Sequence, residues 1–126
     1  MENHKLFKVN QNAIISNKNN EILILQKDGK WLLPGGRIEE SDKTWEQALR
    51  REIKEETGIN DFKIERISEV GMSDSGNTYI IVFICKIESI PEIKLSHEHQ
   101  KYEWVSLKDI DNYEFWHKDI KERIKK

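Results

Sequence analysis

The chain has one cysteine, two prolines and six glycines in 126 residues. A single cysteine, Cys85, excludes an internal disulfide and fits a reducing, cytoplasmic compartment. It sits within YIIVFICKI, where a free thiol serves as a small buried hydrophobe on a strand. No repeat, low-complexity tract or inter-domain linker interrupts the chain. No apolar run approaches the roughly 20 residues that span a bilayer, and the N-terminus, MENHKLFKVN, has no signal-peptide core. Charge of one sign is also missing. Lys and Arg number 21 and Asp and Glu 23, giving a net charge of −2. That balance speaks against a nucleic-acid polymer or a membrane surface as partner; any nucleotide bound is small and held by a local site. What remains is 37% apolar residues in organised runs and 35% charged ones. The length predicts one domain, residues 1–126, with a real core.

Residues 5–16 read as a strand, followed by a turn at NKNN and a second strand, EILILQK, at 21–27. Asp28 and Gly29 make a tight turn. A short strand, KWLLP, ends at Pro34 and the pair Gly35 and Gly36. Two adjacent glycines let a ligand or metal approach the main chain closely. A helix is predicted over 45–57, with Thr44 and Gln47 as a T-x-x-Q capping box and Gly58 just past its end. FKIERISEVGMS and NTYIIVFICKIE are strands joined near SDSGN, the second apolar enough to be central and buried on both faces. A polar loop, PEIKLSHEHQK, leads to a strand, YEWVS. The tail, roughly 112–125, is amphipathic, with Trp116, Ile120 and Ile124 on one side of a helix. The order predicts an α/β protein, a mixed sheet covered by helices.

RREIKEETG, residues 50–58, is the informative stretch. With Trp45 at zero on a helical wheel, Ala48, Leu49 and Ile53 fall at about −60°, +40° and +80°. Lys43, Glu46, Gln47, Arg50, Arg51, Lys54 and Thr57 fall in the opposite, polar half. Glu52 and Glu56 lie at about −20° and +20°, inside the apolar arc, and Glu55 at its edge near −80°. A solvated face does not account for them. Either the helix end overhangs the core, or the inward carboxylates hold a cation, since buried charges are costly unless paired or metal-bound. An all-oxygen set selects a hard ion, Mg²⁺ or Mn²⁺. Arg51, one turn before Glu55, reads either as its ion-pair partner or as an ordinary solvated arginine.

GGRIEESDKTWEQALRREIKEETGI, from Gly35 to Ile59, resembles the Nudix box of the MutT-like Nudix hydrolases, G-x5-E-x7-R-E-U-x-E-E-x-G-U with U a bulky aliphatic residue. Arg51, Glu52, Ile53, Glu55, Glu56, Gly58 and Ile59 match its second half, and LLPGG before it is also typical. The first half departs. One residue more separates Gly36 from Arg51, and Asp42 or Lys43 stands where the box has its first glutamate. The extra residue precedes the Thr44 cap, so the helix register is intact; Asp42 and Glu40 are the candidates to replace the missing carboxylate.

The resemblance implies the Nudix fold, a mixed β-sheet sandwiched between α-helices. It implies a metal-dependent pyrophosphohydrolase cleaving a nucleoside diphosphate linked to another group X. Glu52, Glu55 and Glu56 would hold Mg²⁺ (or Mn²⁺), with the Gly35 carbonyl as a further ligand. Glu98, in a late loop, is the counterpart of an acid used as base, though His97, Glu98 and His99 also read as a solvated loop. Glu52, Glu55, Arg51 and Glu98 are the implied catalytic residues. Arg37 and Lys27 are candidate phosphate contacts or plain surface residues. Phe7, Trp31 and Tyr79 are candidates to stack a base or to fill the core. A proline expected of the ADP-ribose hydrolases is missing near residue 74, and Tyr79 comes slightly late for the dinucleoside polyphosphate hydrolases. Elimination favours a nucleoside triphosphate, normal or oxidised, releasing the monophosphate. A sugar-nucleotide hydrolase and a non-catalytic nucleotide-binding module are the alternatives.

Overall fold

The computed structural model describes residues 3–126. In chain order the elements are β1 (Lys8–Ser16), β2 (Glu21–Lys27), β3 (Lys30–Leu32), β4 (Gly35–Arg37), α1 (Trp45–Thr57), β5 (Lys63–Met72), β6 (Thr78–Lys86) and β7 (Lys101–Ser106). A 3-10 turn, Leu107–Asn112, and α2 (Lys118–Lys125) complete the chain. The sheet runs β3-β2-β1-β6-β5, with β4 paired to β1 and β7 to β2. β1 and β6 are parallel, from Lys8↔Thr78 to Ser16↔Lys86, and the other pairs are antiparallel. This is the mixed sheet that the sequence predicts.

Successive residues of each central strand serve opposite layers. Ala13, Ile15, Leu23, Leu25, Phe83 and Cys85 pack with Leu49 and Ile53 of α1. Ile14, Ile22, Ile24 and Val82 pack on the other face with Ile120 and Ile124 of α2. The sheet therefore lies between the helices, and β6 is buried on both faces as its composition requires. Cys85 is fully buried, which pushes its thiol up to about 12.

Helix α1 begins and ends where its local signals place it. Thr44 Oγ1 accepts from Gln47 N at 3.0 Å, and Gln47 Oε1 accepts from Lys43 N at 3.0 Å. Gly58, at φ +79°, donates to Lys54 O. At the two ends of the helix the structure departs from the wheel. Trp45, set at the centre of the apolar arc, is 49% exposed; the first turn overhangs the sheet, and the indole stacks on Phe83 at 5.2 Å. Thr57, assigned to the polar half, is fully buried. Its hydroxyl donates to Ile53 O at 2.6 Å and accepts from Ile59 N at 3.1 Å, so it enters the core already satisfied.

The tail also differs from its prediction. Residues 107–112 form the 3-10 turn, and α2 starts only at Lys118. Between them the chain runs beside β3: Trp31 N donates to Glu114 O and Trp116 N to Trp31 O, both at 2.9 Å. That pairing draws Trp116 out of the helix. β4, a strand of Gly-Gly-Arg, was not expected either. Among the described residues no helix is long and apolar enough to cross a membrane.

Candidate active site

The last turns of α1 lie against β4. Glu56 Oε1 accepts from Gly35 N at 2.7 Å. A side chain at Gly36 would overlap the Glu52 carboxylate, so the missing Cβ is what makes room for it. The side chains of Glu52 and Glu56 are 15% and 12% exposed and face the glycine pair, as the wheel predicts. Glu55 points outward, 58% exposed.

Arg51, assigned to the solvated half of the wheel, is instead drawn in by acids on two elements. Its Nε and Nη2 each lie 2.9 Å from a different oxygen of Asp42. Its Nη1 reaches Glu52 Oε1 at 3.0 Å and Glu55 Oε2 at 3.2 Å. The pairing with Glu55 expected from the sequence is present, and the bidentate pair with Asp42 is the closer one. Of the two candidates to replace the missing box carboxylate, Asp42 meets Arg51. Its side chain is 2% exposed.

The late loop closes the other side of Glu56. Ser96 N donates to Glu56 O at 3.2 Å. His99, whose sequence context also suits a solvated loop, is buried, with Nε2 at 3.5 Å from Glu56 Oε2 and Nδ1 at 3.2 Å from Ser96 Oγ. Its role comes from a fold-dependent contact, and no sequence pattern marks it. Glu98 is exposed beside it and acts on both groups through its charge.

Burial dominates the electrostatics. It pushes Glu56 up to about 8; the Gly35 N–H opposes this, and the charges of Glu52, Glu98 and Glu55 add to it. Glu52 is also raised by burial, against the pull of Arg51. Burial lowers His99, helped by Lys27 and opposed by Glu98. Arg51 holds Asp42 below the usual carboxylate range, and Asp42 is the main reason Arg51 is raised in turn. The site thus has more acid than its own cations neutralise. Arg51 serves Asp42, Glu52 and Glu55, while Glu56 has a backbone N–H and a histidine held low. An oxygen-only donor set with that charge deficit suits a hard divalent cation. Among the described residues, no three carboxylate, imidazole or thiol groups stand together closely enough to hold an ion in their present orientations, in which Glu52 and Glu55 both contact Arg51 Nη1.

Gly35 and Gly36 are a shared wall. Behind them are the acids; in front is a cavity of about 510 Å³, lined also by Asn10, Asn12, Lys27, Arg37 and Trp116. Lys27 and Arg37, expected from the sequence as phosphate contacts, both line it. Tyr79 does not: it stands on β6, edge-on to Phe7 at 4.8 Å. Trp31 is 9% exposed and fills the core. The cavity's aromatic is Trp116. Its Nε1 donates to Lys27 O at 3.0 Å, and Lys30 Nζ sits 5.5 Å from its ring centroid. Trp116 is 40% exposed at the cavity, so its indole is accessible to a ligand there. Its helical spacing to Ile120 had disguised it as core.

A sequence model of the NUDIX domain matches residues 6–124. The nucleoside triphosphatase NudI of Escherichia coli O139:H28 is 33% identical over 99 residues, 68% of each chain. A Caenorhabditis elegans protein of the same family is 34% identical over 97 residues, which are 71% of this chain and 26% of that longer one. Among solved structures, the MutT protein of Methanosarcina mazei Go1 superposes with a TM-score of 0.77 at 26% identity, covering 98% of this chain and 94% of that one. A Nudix hydrolase of Nitrosomonas europaea, at 20% identity, shares the fold with a TM-score of 0.82 over 98% of this chain and 70% of its own. The chain belongs to the Nudix family and is a Nudix hydrolase.

Proposed function

We propose that the chain, as one cytoplasmic domain, is a Mg²⁺- or Mn²⁺-dependent pyrophosphohydrolase that cleaves a nucleoside triphosphate, normal or oxidised, to the monophosphate and pyrophosphate. The observation that carries this reading is the shared glycine wall: crowded, half-buried carboxylates on one side and a cavity with two cations and an indole face on the other. Its volume lies within the roughly 300–1,000 Å³ of small-molecule pockets. The likeness to NudI supports a triphosphate substrate.

Water adds to a phosphorus of the triphosphate, the P–O bond to the leaving pyrophosphate breaks, and the water proton passes to a carboxylate. Glu52, Glu55, Glu56 and the Gly35 carbonyl are the groups that would hold the ion. When bound, a divalent ion neutralises charge growing on the phosphate oxygens and acidifies bound water. Lys27 and Arg37 bind the phosphate chain, and Trp116 stacks the base. Glu98 and Glu55 are the exposed carboxylates that can take the proton.

The test is a panel of nucleotides with Mg²⁺ and identification of the phosphorus products. Monophosphate and pyrophosphate from a triphosphate support the reading. Turnover confined to sugar nucleotides, or none at all, would sink it. Trp116→Ala is expected to raise KM for the preferred nucleotide about 10-fold, which is about 1.4 kcal/mol and within the roughly 1–3 kcal/mol that stacking of a base contributes, with kcat little changed. An unchanged KM would remove Trp116 from the base site.

A further inference from the structure

We infer that the uncovered face of β5 is a docking surface for a second copy of this chain, which seats the same face against it. β5 ends the row of strands, and among the described residues only β6 pairs with it. Its apolar residues Ile64, Ile67 and Val70 come three apart, an interval that would turn them to alternate faces of a regular strand. Two register shifts, between Ile64 and Arg66 and between Ile67 and Glu69, undo that alternation. Ile64, Ile67, Val70 and Met72 therefore stand beside Cys85, Phe83, Ile81 and Tyr79 of β6, on the face that carries α1.

The helix does not reach most of them. Leu49 and Ile53 of α1 pack over Ala13, Ile15, Phe83 and Cys85, which belong to β1 and β6. Beyond that line Ile67, Val70 and Met72 are half-exposed. So is Trp45, whose indole lies flat on Phe83 and joins the row at the foot of the helix. Tyr79, also exposed, carries the surface on to Phe7. The opposite face of the strand is different. There Glu69 meets Arg123 at 3.6 Å and Lys126 at 3.8 Å. The apolar character of β5 is thus concentrated on the side that nothing covers.

Area and shape both point to an identical partner. Three half-exposed aliphatic side chains and two aromatics make a contiguous patch on the order of 400 Å², large enough to mark a contact surface. Two such patches face to face remove about 800 Å² of apolar surface, and at about 65% apolar area a homodimer interface of roughly 1,200 Å² results, the lower bound for specific association. Helix α1, about 10–12 Å across with its side chains, stands as a wall beside the bare strand. A second sheet laid on the patch, at the usual spacing of about 10 Å, rises to the same height and fills the step. In a two-fold pair each copy's β5 occupies the step of the other, so one shape is its own complement. Pairing edge to edge would instead lengthen the sheet and leave both patches wet. The net charge of −2 gives an anionic lipid surface no attraction.

The test is sedimentation velocity of the full chain from low to high micromolar concentration, with binding of a hydrophobic dye as a second readout. The mass is expected to rise from 15.0 kDa to twice that, and dye fluorescence per chain to fall as it does. Val70→Lys should weaken association about 100-fold, because the two-fold sets each buried charge into the interface twice, and should keep the wild-type circular dichroism. Met72→Lys, at the end of the strand, gives the same reading should a mid-strand lysine unfold the chain. Leu107→Lys, exposed but outside the patch, should associate as the wild type does. A monomer at every concentration overturns the inference, whether it stays free or binds vesicles of neutral lipid through Val70. A dimer that both β5 variants leave intact overturns it too, since its interface lies elsewhere. So does a dimer with undiminished dye signal per chain, which would be joined along the strand edge.

Discussion

Glu56→Gln is expected to lower kcat on the order of 10³-fold, since it removes a carboxylate from the charge-neutralising centre of the reaction. The same change should stabilise the metal-free protein at alkaline pH. The folded Glu56 carboxyl, at about 8, lies well above the ordinary 4.5. The stability this group contributes is fully present below pH 4.5 and is lost as the pH rises through about 8. His99 has the opposite sign: burial holds it below 6.5, so its contribution grows as the pH rises toward that value. The loss due to Glu56 is therefore clearest between pH 6.5 and 8. Thermal melts in chelator should show a midpoint falling over that range in the wild type and falling less in Glu56→Gln, where Glu52 alone is still raised by burial and the amide oxygen still accepts from Gly35 N. Mg²⁺ should restore the alkaline midpoint of the wild type alone. Parallel pH curves for the two proteins would mean that Glu56 does not carry the buried charge.

The two glycines of β4 should fail in different ways. At Gly35 an added Cβ would meet backbone, Gln11 O and Asn12 Cα, which cannot move without breaking the β1–β4 pairing. Gly35→Ala is expected to destabilise the fold by about 3 kcal/mol or more. At Gly36 the three atoms nearest the added Cβ all belong to the Glu52 carboxylate, the mobile end of a side chain. Gly36→Ala should stay within about 1 kcal/mol of wild-type stability and yet lose about 10²-fold in kcat, because Glu52 is pushed from its place. Urea melts and steady-state kinetics on both variants decide it. A stable, inactive Gly35→Ala or an active Gly36→Ala would show that the carboxylates do not depend on this strand.

The parts of this design that rest on short-range pattern were legible. The capping box at Thr44, the stop at Gly58 and the inward turn of Glu52 and Glu56 follow from spacing along one helix. β2 emerged with its full bounds because EILILQK is continuous between two turns. The illegible parts depend on what the fold brings alongside. β4 is a strand because β1 offers it hydrogen bonds, and Gly-Gly-Arg has no strand signal of its own. His99 and Asp42 acquire partners on α1 that no local spacing announces. Trp116 kept a helical interval to Ile120, but pairing beside β3 won over that periodicity. Thr57 read as polar because its two satisfying bonds are invisible until the helix ends against Ile59.

The parallel alignment of β1 with β6 has a bearing on how the molecule comes together in time. Each residue of β1 meets a partner more than half the chain away, from Lys8↔Thr78 to Ser16↔Lys86. Closing so long a loop precedes any reward from the contacts, which slows this step relative to local events. A capped helix such as α1 can form and dissolve many times in that interval. The acids are thus arranged along their helix early, but β4 needs β1 settled in the sheet before Gly35 and Gly36 can be pressed against them. During refolding, helical signal should precede the return of cation affinity, and the centre should assemble last, around a carboxylate trio that has been waiting on the surface of an unfinished protein.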